Sequence, residues 1–328
     1  MNKANRFLTI SYMNIHGQSK LPTVKQLQIE DFIKYNKIDI LHMQEIETDP
    51  ETFSNCDFIS SSYNIISNNS RTKYGTASLI RSDLTIDNVR CDTAGRGIVF
   101  DIGNSTFGNF YPHSGTDGQS RASRESFCAE TIPNLMTSCK PSGCVGGDFN
   151  MIINKQDATA HQQAKMSPTF QRVVRTFKWV DSYRELHPTV KQFSRYFGDS
   201  RSEGASRIDR CYHFGEIKIR NAIYLPLAFS DHHAHVVTIE LPDQFARLLC
   251  PSFRPSFRIK AKVVKDNIFQ LQVAESMDAW QNVRSFGQIG IVLTWWENQW
   301  LSQGLKKWHK NTAENSTKSA RKSAICSD

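Results

Sequence analysis

Residues 7–241 form a succession of short β-forming runs with only two helical patterns between them, and that rhythm admits few folds. The runs are Phe7–Ile15, Ile38–Gln44, Thr76–Ile80, Gly97–Ile102, Thr106–Tyr111, Gly143–Phe149, Arg207–Phe214, Glu216–Leu225 and His235–Leu241. Each is apolar or alternating and rich in β-branched or aromatic residues. The first helical pattern is Val24, Leu27, Ile29, Phe32 and Ile33, at mixed three- and four-residue steps. The second, Ser123–Met136, spaces Phe127, Ile132, Leu135 and Met136 in the same way after an Arg-rich start. Many strands with few helices predict two packed sheets carrying helices on their outer faces. Such layering gathers the polar residues of strand ends at one rim.

The remaining composition narrows the class. With 39% hydrophobic and 22% charged residues, the 328-residue chain can bury a sizeable core, which excludes wholesale disorder. No run approaches the roughly 18 apolar residues of a spanning helix. The opening MNKANRFLTISYMNIHG turns polar too soon for a secretory leader. The eight cysteines contain no Cys-x2-Cys pair, which predicts reduced, buried thiols in an intracellular protein of nucleus and cytoplasm, not a zinc or disulfide framework.

Charge is uneven. After residue 245 there are 13 Lys and Arg against 6 Asp and Glu; before it, 27 against 26. Five of the six tryptophans also lie in this tail, and Pro242, Pro251 and Pro255 interrupt the junction. The expected organisation is a domain over 1–243 and a basic, Trp-rich, mainly helical extension over 244–328. Trp295, Trp296, Trp300 and Trp308 among cations suit non-specific binding of nucleic acid, including RNA. Trp296, Trp300 and Lys307, near helical spacing, equally suit a docking face.

Candidate chemistry sits at strand ends. Asn14 and His16 close the first run before a glycine, as a turn or as functional groups. Glu45 emerges from the apolar IDILHMQE, where a carboxylate is costly unless paired or bound to a cation. In CVGGDFN, Asp148 and Asn150 are two apart on extended chain and share a side. That arrangement is able to orient a water and hold a phosphate oxygen, or merely to close a strand with an Asx-turn. Downstream, SRID supplies Asp209 and SDH supplies Asp231 and His232; a carboxylate behind an imidazole fixes its tautomer and raises its basicity. Neither Gly-x-Ser-x-Gly nor a Gly-x4-Gly-Lys phosphate loop is present.

The order of these pieces, from Asn14 and Glu45 through Asn109-x-Tyr111 to GGDFN, SRID and SDH, resembles the endonuclease/exonuclease/phosphatase superfamily. That superfamily includes apurinic/apyrimidinic endonucleases, deoxyribonuclease I, inositol-polyphosphate phosphatases and sphingomyelinases. The likeness spans nearly all of residues 7–241. Within it, NFYPHSGTDGQSRASRESF, GGDFNMIINKQDATAH, FKWVDSYRELHP and SRIDRCYHF look most like the endonuclease domain of non-LTR (LINE-type) retrotransposon polyproteins. PSFRIKAKVVKDNIF and WWENQWLSQGLKKWHK look like the segment leading to reverse transcriptase, whose Tyr-x-Asp-Asp is absent from this chain.

The resemblance implies an α/β (α+β) fold, a four-layer sandwich of two packed mixed β-sheets flanked by helices. It implies an Mg²⁺-dependent endonuclease, with Mn²⁺ as a substitute, that hydrolyses a phosphodiester bond to nick duplex DNA for target-primed reverse transcription. Metal would fall to Glu45 with Asn14 and, on its side, Asp231. Tyr111, Asp148 and Asn150 would contact the scissile phosphate and the attacking water, and Asp209 would pair with His232. Ser194 stands where the family has threonine near DNA; Arg184 and Arg207 join it as candidate DNA contacts. Two departures are His16, where repair-type relatives carry an acidic residue, and NFYPH in place of Asn-x-Tyr-x-Pro. Membrane partners and an obligate oligomer are not expected. The alternatives are a phosphatase or phosphodiesterase acting on inositol lipid or RNA, and an inactive scaffold from a degenerate element copy.

Overall fold

A computed structural model describes residues 7–17, 23–46, 56–68, 75–159, 166–196 and 204–241. The chain divides into two units, Met1–Ser252 and Phe253–Asp328, and every described residue belongs to the first. The 243/244 boundary and the Trp-rich extension therefore lie outside the described residues.

Fourteen strands are described. They are β1 (Phe7–Asn14), β2 (Ile40–Ile46), β3 (Tyr63–Asn68), β4 (Gly75–Arg81), β5 (Asp87–Cys91), β6 (Gly97–Ile102) and β7 (Ser105–Phe110), followed by β8 (Ser142–Asp148), β9 (Val180–Asp181), β10 (Arg195–Tyr196), β11 (Ala205–Ser206), β12 (Asp209–Phe214), β13 (Lys218–Pro226) and β14 (His233–Glu240). They form two six-stranded sheets, ordered β13-β14-β1-β2-β4-β3 and β5-β6-β7-β8-β12-β9, and a small β10-β11 pair. Each large sheet is mixed: β1 and β2 run parallel in one, β7 and β8 in the other, and all other pairs are antiparallel.

Period-2 alternation sorts the side chains into layers. Leu8, Ile10 and Tyr12 point between the sheets and pack with Ile98, Phe100, Phe107 and Cys211. Met13, Leu41, Met43, Leu79 and Val236 face outward and take Ile29 and Ile33 of the helix Thr23–Asn36. Behind the second sheet, Val99, Phe110, Val145, Phe149 and Tyr212 are covered by Phe127, Ile132, Met136, Phe170 and Val173. The result is helix, sheet, sheet, helix: the four-layer α/β sandwich.

Each of the nine runs becomes a strand; the helical patterns differ in detail. In the first helix Val24 and Leu27 are exposed, and only the Ile29–Ile33 step is fully covered. The second begins at Gly118, where Asp117 caps Ser120 N, and continues to Met136 through a π-helical turn at Phe127–Thr131. That wider turn lets Phe127 and Ile132, five residues apart, share one buried face. The six cysteines among the described residues are free thiols. No helix among the described residues is long and apolar enough to cross a membrane.

His42 and His235 are fully enclosed between elements, His42 stacked on Tyr12 and His235 on Tyr224. Burial pushes both imidazoles down to about 3. Below the unfolded value near 6.5 the unfolded chain takes up protons that the native state refuses, so stability falls as pH drops from there towards 3. The two histidines together set a slope of up to roughly 2.7 kcal/mol per pH unit. Thermal melts should show a clear loss of Tm between pH 7 and pH 5, smaller in His42→Gln; equal melting at both values would contradict the neutral burial.

Candidate active site

Both parallel pairs end at one rim, and their antiparallel neighbours β12 and β14 begin there, so six strand ends meet. They deliver Asn14, Glu45, Tyr111, Asp148, Asp209 and His232. The backbone turns sharply where it does so: His16, Glu45 and Asn150 adopt φ of 49°, 59° and 51°. Left-handed non-glycine residues are uncommon and concentrate at functional sites. At Glu45 the β2–β4 register shifts between Gln44 and Ile46, a bulge that re-aims the side chain. The glycines before Asp148 permit close packing. A Cβ on Gly147, at φ +135°, would lie 2.1 Å from Phe110 O, and one on Gly146 would lie 2.4 Å from Arg210 O.

Asn14 ties the two sheets together. Its Nδ2 donates to Glu45 Oε1 and to Asp148 Oδ2, each at 3.0 Å. Its Oδ1 accepts from His16 N at 2.9 Å. Tyr111 OH donates to the same Glu45 Oε1 at 2.8 Å, and Gly17 N to Oε2 at 3.2 Å. Burial, then Glu45 and Asp148, hold the Tyr111 phenol far above its usual pKa, so it stays a neutral donor. Arg96 lies over the Tyr111 ring at 5.1 Å and donates to Tyr111 O at 3.1 Å.

Opposite stands a buried acid–imidazole pair. Asp209 Oδ2 lies 2.8 Å from His232 Nδ1 and accepts from Ser194 Oγ at 2.6 Å. Ser194 Oγ in turn accepts from Ile208 N and Asp209 N, both at 3.0 Å. His232 Nε2 faces Asp148 Oδ2 at 3.9 Å. Burial alone would depress the imidazole, but Asp209 and Asp148 override it and lift His232 to about 9. Asp148, buried and cross-strand from Asp209, has its carboxyl pKa raised, by burial first and Asp209 second.

The donor set suits a hard cation. Glu45 accepts only from neutral donors and makes no ion pair among the described residues, and Asp148 adds a carboxylate nearby, whereas Asn14 turns its Nδ2 to both carboxylates and its Oδ1 to His16 N, so it orients the acids and offers no oxygen beside Glu45. Asp148, Asp209 and His232 also bring ligand atoms within 4.8 Å of one another. Within that group Asp209 takes His232 Nδ1 at 2.8 Å, which leaves His232 Nε2 and Asp148 Oδ2, 3.9 Å apart, as the atoms facing the site.

Among solved structures, the chain superposes on an AP endonuclease from Archaeoglobus fulgidus with TM-score 0.60 and 16% identity, over 70% of this chain and 98% of that one. The fold is that of the AP endonucleases. An AP endonuclease from Leishmania major gives TM-score 0.54 at 14% identity, over 72% and 89% of the two chains. A 3′ phosphatase from Neisseria, bound to a product DNA hairpin, gives 0.58 at 17%, over 70% and 98%. Compared by sequence, the chain matches no family model and no curated protein.

Within this AP-endonuclease fold, Asn14, Glu45, Tyr111, Asp148, Asp209 and His232 converge. Asn150 is adjacent, but its side chain donates to Pro112 O at 3.1 Å and its N–H to Asp148 Oδ1 at 2.9 Å, so it braces the Tyr111 loop and Asp148. Ser194 is fully buried, its Oγ donating to Asp209. Asp231 sits at the rim, its carboxylate pulled down by His232 and Arg195 against the opposing effect of burial, with Arg195 Nε donating to it at 2.9 Å. Arg184 and Arg207 do not reach the rim. Arg207 is fully buried between Asp157 and Asp181, and Arg184 is bound to Asp157 at 2.7 Å. Sequence reasoning missed Asp157, the buried acid that also faces Arg210 at 3.4 Å; three arginines near one acidic residue in space leave no spacing to read. It missed Arg96 behind Tyr111 for the same reason.

Proposed function

We propose that the chain is a divalent-metal-dependent phosphodiester hydrolase that nicks DNA. The observation carrying this reading is the buried Asp209–His232 pair set 3.9 Å from Asp148 and tied through Asn14 to Glu45 and Tyr111. The named activities of proteins with the same fold, an AP endonuclease and a 3′ phosphatase with a DNA product, support the substrate class.

Each residue then has a task. His232, positive at neutral pH, presents Nε2–H to a phosphoryl oxygen, while Asp209 fixes its ring and balances its charge. Asp148, with a raised pKa and Asn14 and Asn150 N holding its two oxygens, orients the attacking water and accepts its proton. Tyr111, kept neutral, donates its one hydroxyl proton to Glu45 and steadies that carboxylate; contact with the phosphate would require the proton to turn from Glu45 to it. Mg²⁺ held by Glu45, whose carboxylate Asn14 orients, would supply Lewis-acid neutralisation of the phosphoryl and leaving oxygens.

Supercoiled plasmid and a phosphoinositide, offered side by side with Mg²⁺, test the reading. Nicked circles without phosphate release from lipid are expected. Lipid turnover alone would make the chain a phosphatase, and inertness towards both would make it a scaffold. The retrotransposon role rests on the sequence resemblance of residues 109–127, 146–161, 177–188 and 206–214. Sequencing the transcript around this reading frame tests it, a reverse-transcriptase frame beyond residue 328 being the expected result.

A further inference from the structure

Arg195 is a charge that the mechanism above does not use. It follows Ser194 on β10, and strand alternation sends the two side chains opposite ways. Ser194 points in and orients Asp209; Arg195 points out over the mouth of the site, with a quarter of its side chain exposed (25%). The strand is fixed to the catalytic groups through its backbone, because Arg195 bridges His232 and His233 N donates to Ser194 O at 2.6 Å.

Asp231 takes the Nε edge of the guanidinium at 2.9 Å and thereby sets its plane. On its other oxygen Asp231 faces His16 Nδ1 at 3.4 Å and His232 Nε2 at 4.0 Å. His16, Asp231 and Arg195 therefore line the mouth above the buried set. The Arg195 charge also reaches inward: it lowers Asp148 and His232, and both Asp148 and Asp209 help hold Arg195 protonated against its burial. Carboxylates outnumber cations here, Glu45, Asp148, Asp209 and Asp231 against His232 and Arg195, so an anionic substrate approaching this mouth needs a cation to meet it. The guanidinium is a preset cation fork at that entrance, of the geometry that grips phosphate.

We infer that Arg195 is a substrate-binding residue that grips a backbone phosphate of DNA at the mouth of the site, and that Asp231 positions it. This rests on the DNA reading proposed above and adds a residue to it. The expected signature is in binding. One phosphate contact contributes about 0.9 to the slope of log affinity against log salt.

The test uses the full chain with EDTA, so that metal-dependent cleavage is suppressed, and a labelled duplex titrated at several salt concentrations by fluorescence anisotropy. Arg195→Ala should lower the slope by about 0.9 and weaken binding several-fold, while Arg195→Lys keeps the slope because the charge remains. Arg220, ion-paired to Glu240 near the opposite end of β13, is the control, and Arg220→Ala should leave the slope unchanged. In the presence of Mg²⁺, Arg195→Ala should raise KM more than it lowers kcat. Arg195→Gln, which still offers Asp231 a hydrogen bond, replaces the alanine variant if that one melts early. A slope in Arg195→Ala or Arg195→Gln equal to that of the parent protein overturns the assignment. Absence of duplex binding by the parent protein overturns the DNA reading itself, and this role with it.

Discussion

Replacing His232 by alanine should slow plasmid nicking by about 10²–10⁴-fold with little change in duplex affinity, the range expected when a positioned acid–base group is lost. The imidazole is fully enclosed, paired to Asp209 at 2.8 Å and 3.9 Å from Asp148. On the proposed reading it acts on the reacting phosphate and not on the flanking duplex, and such interactions show in turnover. The pH profile supplies an independent reading. Burial opposes the charge, yet Asp209 holds the imidazolium to about 9, so the protein should lose activity as pH rises through 9, and His232→Ala should lack that limb. Stability follows the same sign. The folded pKa exceeds the unfolded value, so the pair's contribution is complete below about 6.5 and is lost as pH climbs through about 9. A variant that nicks at the parental rate, or that keeps the limb near pH 9, would remove His232 from the chemistry.

Much of the fold was legible because two-sided burial writes itself as alternation. Leu8, Ile10 and Tyr12 against Met13 is enough to place β1 between two layers. What escaped were strands whose own residues carry little β preference. Asp87–Cys91 is such a strand, a polar, mostly exposed edge that the backbone of its neighbour recruits. At the site, Asp148, Asp209 and His232 were readable as polar groups at strand ends. The charges on Arg184 and Arg207 were equally readable, but Asp157 and Asp181, which bury them, come together only in three dimensions. Ser194 and Asn150 were readable as site residues, but their contacts were not: each holds a carboxylate or a loop in place through hydrogen bonds that no spacing encodes.

Glu45→Gln should abolish most metal-dependent cleavage while leaving the local structure standing. Glutamine keeps an oxygen to accept from Asn14 Nδ2 and Tyr111 OH, the contacts at 3.0 and 2.8 Å, and gives up only the longer 3.2 Å bond from Gly17 N. What it removes is the charge. Lewis-acid stabilisation is worth several kcal/mol, so weakening the ligand set should cost at least about 10²-fold in rate at fixed Mg²⁺. Loss of one carboxylate beside Asp148 also relieves repulsion in the ion-free protein, so the variant should melt no earlier than its parent with EDTA. Adding Mg²⁺ should raise Tm in the parent by mass action and barely in the variant. This separates ligand loss from damage to the fold. Equal Mg²⁺-dependent stabilisation and equal nicking in both proteins would show that Glu45 binds no cation. The carboxylate at the left-handed end of β2 would then serve only to hold Asn14 and Tyr111 in place.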